Sequence, residues 1–183
     1  MLEKNKTKLE KMLKSFYKNK ENSKSLEEKN QLLLFGKTID IEVVNSKQNI
    51  FILKEDKLIV KISTNFTKEI KEQIRQKLYL EESKTKITPI FKEWENRMQL
   101  FSNNLKYRKT KSQWGSCSSK NNISLNTYLC LLPKELIEYV IIHELSHIKH
   151  KNHSKEFWNL VQEYQPNYKN LRKELKKYGQ FLK

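Results

Sequence analysis

All four histidines of this 183-residue chain fall within eleven positions, His143-Glu144-Leu145-Ser146-His147-Ile148-Lys149-His150-Lys151-Asn152-His153. No other stretch restricts the fold as strongly. Histidines four apart on an α-helix stand about 6 Å apart along its axis and roughly 40° around it, so both rings reach one side. So placed, His143 and His147 can share one ion at about 2.0–2.1 Å from each. Glu144 is rotated off the ligand line, where it can reach a metal-activated water without binding the metal. This H-E-x-x-H order is a zinc-hydrolase arrangement. Surface histidines would give the same letters. Here, however, Val140, Ile141, Ile142, Leu145 and Ile148 surround them with apolar side chains, as a buried helix requires.

A third ligand has two histidine candidates. His150 would share the face of a continuing helix, but about 10 Å along the axis from His143, where three imidazoles converge poorly on a tetrahedral ion. If the chain turns after Lys149, His153 can fold back. Ser154 is a good N-cap for a new helix over Lys155–Gln165 and supports that turn. His153 is therefore the expected third ligand, with Glu156 and Glu163 as the carboxylate alternatives. Three neutral nitrogens and an open position would lower the pKa of a zinc-activated water to near 7, with Glu144 as general base. Arg108, Tyr128 and Asn126 are candidates for stabilising the oxyanion.

Composition narrows the class. With three glycines and three prolines the chain favours helices over an all-β sandwich. The net charge of +16 rests almost wholly on lysine, since only Arg75, Arg97, Arg108 and Arg172 are arginines. Arginine is the better group for bidentate phosphate recognition, so the excess is read first as compositional bias. Nucleic acid or another polyanion held by a lysine-rich surface is the second reading. Cys117 and Cys130 make neither a C-x-x-C pair nor a disulfide framework, so reduced thiols in a cytoplasmic setting are expected. Met1–Lys6 carries no apolar run, and Leu32–Phe35, Leu129–Pro133 and Tyr139–Ile142 are too short to span a bilayer. No membrane partner is expected.

Residues 1–30 read as a basic amphipathic helix and linker. A period of two then predicts short strands at Leu32–Phe35, Thr38–Val44, Ile50–Leu53 and Leu58–Ile62, joined as antiparallel hairpins. A helix follows from Thr67, and Thr88-Pro89 reads as the N-cap and first position of another, with Phe91, Trp94, Met98 and Phe101 on one face. A second β region covers Leu105–Lys109, Gln113–Cys117 and Ile123–Asn126. Pro133 opens the histidine helix, and Tyr168–Tyr178 reads as a final exposed helix closed by Gly179.

Arg108-x-x-Lys111-x-x-Trp114-Gly115-Ser116-Cys117, Ile123-x-Leu125-Asn126, Pro133, His143-Glu144-Leu145-Ser146-His147 and His153-Ser154-x-x-Phe157-Trp158 together resemble the YgjP-like metallopeptidase domain family. That family is similar to the SprT-like and WLM minimal zinc proteases. The match is specific over about Tyr107–Trp158 and looser from Leu34-Phe35-Gly36-Lys37 onward. The resemblance implies an α+β, small zincin-like domain over 31–183 with its catalytic core at about 105–165, an antiparallel sheet packed on the active-site helix, and a short β meander. It implies Zn2+ on His143, His147 and His153, catalysis by Glu144, and a peptide or protein substrate. Trp114, Gly115, Ser116 and Asn126 are then the substrate-binding candidates, because zincins bind substrate as an added strand. A nucleotide or phosphate-ester hydrolase, and a nucleic-acid-associated module with structural zinc, are the alternatives.

Overall fold

The computed structural model describes residues 30–182; the basic helix expected over 1–30 lies, but for Asn30, outside them. The described chain divides into two compact units. One takes in 30–32 and Thr38–Phe66; the other takes in Leu33–Lys37 and the chain from Thr67 onward.

The first sheet is made of β1 (Gln31–Leu34), β2 (Lys37–Asn45), β3 (Ile50–Leu53) and β4 (Lys57–Ile62), in the order β1-β2-β4-β3. Period-two alternation forms these strands: Leu58, Val60 and Ile62 point inward, as do Ile39 and Ile41. The expected meander of antiparallel hairpins is corrected here. β4 runs parallel to β2, with Ile41 opposite Leu58, and antiparallel to β3, with Ile52 opposite Ile59. The reason lies in burial. β4 is the most buried of the three and takes the centre, while β3, apolar throughout but with Ile50 and Ile52 exposed, is left at the edge.

The second unit repeats this insertion. β5 (Asn104–Arg108), β6 (Gly115–Cys117) and β7 (Asn122–Asn126) form a sheet of order β5-β7-β6. β7 carries the fully buried Ile123 and Leu125. It lies parallel to β5 and antiparallel to β6, so this sheet is mixed rather than antiparallel. β6 keeps one edge unpaired among the described residues.

Helix α1 (Lys68–Glu82) starts at Thr67, whose hydroxyl accepts from the Ile70 N–H at 3.4 Å. It passes through a π-helical turn at Ser83–Ile87 directly into α2 (Thr88–Met98). Thr88 is therefore not the N-cap expected of it. Its φ and ψ are helical, its N–H bonds back five residues to Ser83, and its hydroxyl meets the Tyr107 hydroxyl at 3.0 Å. Pro89 has no N–H to give the helix, and the wider turn before it accommodates that loss without ending the rod. Phe91, Trp94 and Met98 are buried as expected, but Phe101 is exposed, because Gln99 turns left-handed at φ 52° and ends the helix early.

A 3₁₀ turn at Thr127–Leu131 leads into α3 (Lys134–Lys149), which carries the histidine motif and begins after Pro133. That junction is fixed from the other end of the unit. The Phe35 and Gly36 N–H groups donate to the Cys130 and Leu131 carbonyls at 2.5 and 3.1 Å. Gly36 sits at φ +75°, with the Pro133 ring 3.1 Å from where a Cβ would stand. After α3 come α4 (Lys155–Tyr164) and α5 (Tyr168–Tyr178), then a 3₁₀ turn at Gly179–Leu182. The last helix is more than an exposed tail: Tyr168, Leu171, Glu174 and Tyr178 are buried along one face. The fold is α+β, as its sequence implies. No helix of the described residues is long and apolar enough to cross a membrane.

Candidate metal centre

The histidine helix stops at Lys149, where the fold-back of His153 needs it to stop. His150 takes an extended conformation, φ −125°, and its N–H still bonds to the Ser146 carbonyl at 2.9 Å. Four residues later Ser154 caps α4, its hydroxyl accepting from the Phe157 N–H at 3.4 Å. This tight corner brings His153 back over the helix it left. The His153 and His143 Nε2 atoms lie 3.1 Å apart. One ligand atom from each of His143, His147 and His153 falls within 4.8 Å of the others.

Two features prepare these rings as ligands. The His147 Nδ1 lies 3.0 Å from the His150 carbonyl oxygen. A carbonyl only accepts, so Nδ1 carries the proton and Nε2 keeps its lone pair. His150 thus serves the site through its backbone, while its imidazole stays out of the cluster. His143 is pushed down to about 3 by burial first, then by the neighbouring His147, His153 and Arg172; burial also lowers His147. Neutral imidazoles are what a metal requires of its nitrogen ligands.

Phe157 is the floor. It is fully buried, and its ring centroid lies 4.9, 4.5 and 4.8 Å from those of His143, His147 and His153. Trp158 stacks on His153 at 5.6 Å and 22°, and on Tyr168 at 5.2 Å and 17°. In the sequence Phe157 stands out within the His153-Ser154-x-x-Phe157-Trp158 pattern. Its contact with all three rings depends on the corner at His150–His153, which periodicity does not reveal.

Glu144 is buried, and burial alone raises its carboxyl to about 8. It lies directly against β6: a Cβ on Gly115 would stand 2.7 Å from the Glu144 Cγ and Oε1. Glycine at 115 is thus what lets the histidine helix approach the edge strand. The other residues singled out from the sequence divide. The Ser116 hydroxyl accepts from the Arg108 guanidinium at 3.0 Å. Asn126 is buried and its amide is fully committed. Nδ2 donates to the Thr110 carbonyl and hydroxyl and to the Gln113 carbonyl, and Oδ1 accepts from the Tyr128 N–H. It organises the loop between β5 and β6. Tyr128 is held by Glu72 and Arg75, at 3.3 and 3.5 Å. Trp114 is half-buried at the end of that loop, just before β6. Glu156 and Glu163 are exposed and do not join the histidine cluster, and neither does Cys117, a half-buried thiol pushed up by burial.

The donor set suits a divalent metal. Two imidazole nitrogens facing each other at 3.1 Å, with a third nearby, would repel through their lone pairs unless a proton or a cation stood between them. Three nitrogen donors with a buried carboxyl group alongside, itself outside the cluster, form a donor set that fits such an ion.

A histidine cluster of this kind accords with the family to which the chain is matched. The model of the YgjP-like metallopeptidase domain family matches residues 1–178, and the chain belongs to that family. Among solved structures, it is similar to the metallopeptidase zymogen jannalysin of Methanocaldococcus jannaschii. The two are 27% identical over 51% of this chain and 97% of that one, with a TM-score of 0.47. The abylysin zymogen of Pyrococcus abyssi is 21% identical over 50% and 93%, also with a TM-score of 0.47. No curated protein matches the chain.

Proposed function

We propose that this member of the YgjP-like metallopeptidase family is a zinc peptidase, with His143, His147 and His153 as metal ligands and Glu144 as the proton-transferring group. The observation that carries the reading is the convergence of three imidazoles beside one buried carboxyl group. Zinc held there would act as a Lewis acid toward the scissile carbonyl and acidify a water to a pKa of about 7.

The chain's own residues supply the rest. Glu144 takes the proton of the attacking water on a carboxylate oxygen and returns it to the amine nitrogen that leaves. Burial raises its proton affinity, which suits holding the proton between the two halves of that task, and the charge of a cation on the histidines would favour the carboxylate form that accepts it. The unpaired edge of β6 supports the binding of an extended substrate segment by backbone hydrogen bonds, adding a strand to the sheet. Gly115 brings that edge against Glu144, so a peptide lying on it would present a carbonyl beside the carboxylate. Arg108 fixes Ser116 on the same strand. Phe157 and Trp158 keep the histidines in an apolar surround.

The test is hydrolysis of an internally quenched peptide library by the zinc-loaded chain and by Glu144→Gln. The variant should keep its zinc and lose activity by about 10²–10⁴-fold, the usual worth of a general base. Undiminished hydrolysis would falsify the role of Glu144. A parallel nucleotide panel examines the alternative: turnover of nucleotides with none of peptides would move the same site to phosphate-ester chemistry.

A further inference from the structure

A cleft of about 430 Å³ opens where the loop between β5 and β6 meets α5 and the final 3₁₀ turn. Lys111 and Trp114 line it from the loop, Arg172, Leu175 and Lys176 from α5, and Leu182 from the turn. Three cations and no acid therefore face an apolar lining. Elsewhere in this unit several cations have carboxylate partners: Arg75 and Lys109 pair with Glu72, and Lys92 with Glu95. Lys111, Arg172 and Lys176 pair with no carboxylate among the described residues.

The cleft is also joined to the histidines. The Arg172 guanidinium lies 5.0 Å from the Trp158 ring, and Trp158 stacks on His153 at 5.6 Å. A few residues of extended peptide, at about 3.3 Å each, span those two steps. Trp114 immediately precedes the β6 edge, so a peptide added to that edge would run at one end into the cleft. The space suits a side chain or a chain end, with charge recognised by the cations and aliphatic atoms covered by Trp114, Leu175 and Leu182.

We propose that this cleft is a specificity subsite that binds a carboxylate of the peptide substrate, carried by an acidic side chain or by a free C-terminus. Arg172 and Lys176 are its discriminating charges. The proposal rests on the peptidase reading for the path of the substrate, but its binding test does not require turnover.

The test measures fluorescence anisotropy of labelled peptides on the full-length Glu144→Gln chain. One pair of end-blocked peptides differs by Glu against Gln; a second, neutral pair differs by a free against an amidated C-terminus. The carboxylate member of at least one pair should bind about tenfold tighter, as expected when two or three partly exposed charge pairs act together. Which pair responds identifies the source of the carboxylate. Lys176→Glu and Arg172→Glu should each erase that preference, with circular dichroism checking the fold; Lys176 lies outside the ring stack and serves if Arg172→Glu misfolds. Equal binding within both pairs, or a preference that survives Lys176→Glu, overturns the subsite. The wild-type, zinc-loaded chain is assayed for cleavage of the same peptides. Cleavage without charge preference in binding leaves the peptidase and removes the subsite. Preference in binding without any cleavage keeps the subsite and removes the peptidase. Absence of both removes both.

Discussion

Glu144 and His143 stand side by side in α3 with opposite proton affinities, and both owe them to burial. Burial disfavours the charged form, which raises a carboxyl and lowers an imidazole. For the metal-free protein this has a definite sign. Glu144 keeps its proton when folded up to about 8, whereas the unfolded chain releases it near 4.5. Its contribution to stability is present below 4.5 and lost as pH rises toward 8. His143 refuses a proton when folded down to about 3, whereas the unfolded chain accepts one near 6.5. Its contribution is present above 6.5 and lost as pH falls toward 3. Urea midpoints of chelator-stripped protein should therefore fall on both sides of a mildly acidic maximum. Glu144→Gln should flatten the alkaline side alone; an unchanged pH profile in that variant would contradict the buried-acid reading. Both residues are legible from spacing, but their titration depends on Gly115 and Phe157 closing over them, which spacing does not describe.

At the scale of elements, the corner between α3 and α4 governs the site. Ser154 caps α4 immediately after His153, so loosening the cap displaces a ligand as well as a helix end. Ser154→Ala should cost about 1 kcal/mol in stability and weaken metal binding measurably. Chemical denaturation with and without zinc checks both parts, and loss of stability with unchanged zinc affinity would separate the corner from the site. This corner was readable because its signals are local: the i, i+4 pair, the serine cap and the distance to His153. Sheet order was not readable. The alternation of Leu58–Ile62 and Ile123–Asn126 identifies strands, but their insertion between the two preceding strands is a matter of non-local pairing, which alternation along one strand does not encode. The π-helical turn before Pro89 escaped for a similar reason. A threonine-proline pair reads as a helix start, whereas here the packing of Ser83 and Ile87, both fully buried, keeps α1 and α2 as one rod.

At the scale of the molecule, the Leu33–Lys37 segment is where the chain enters the second unit for the first time, and it does so on the approach to α3. Gly36→Ala should destabilise the protein by about 1–3 kcal/mol, since alanine at φ +75° is strained and its methyl would press on Pro133. Thermal unfolding tests this, and a neutral result would mean that the turn relaxes freely. The central claim concerns the histidines, and competition titration of zinc against a chromophoric chelator tests it most directly, on wild type and the four single His→Ala variants. The account predicts tight binding of one zinc by wild type and by His150→Ala, whose backbone carbonyl is intact, and loss of tight binding in the variants at 143, 147 and 153. Zinc retained by His153→Ala, or lost from His150→Ala, would contradict it.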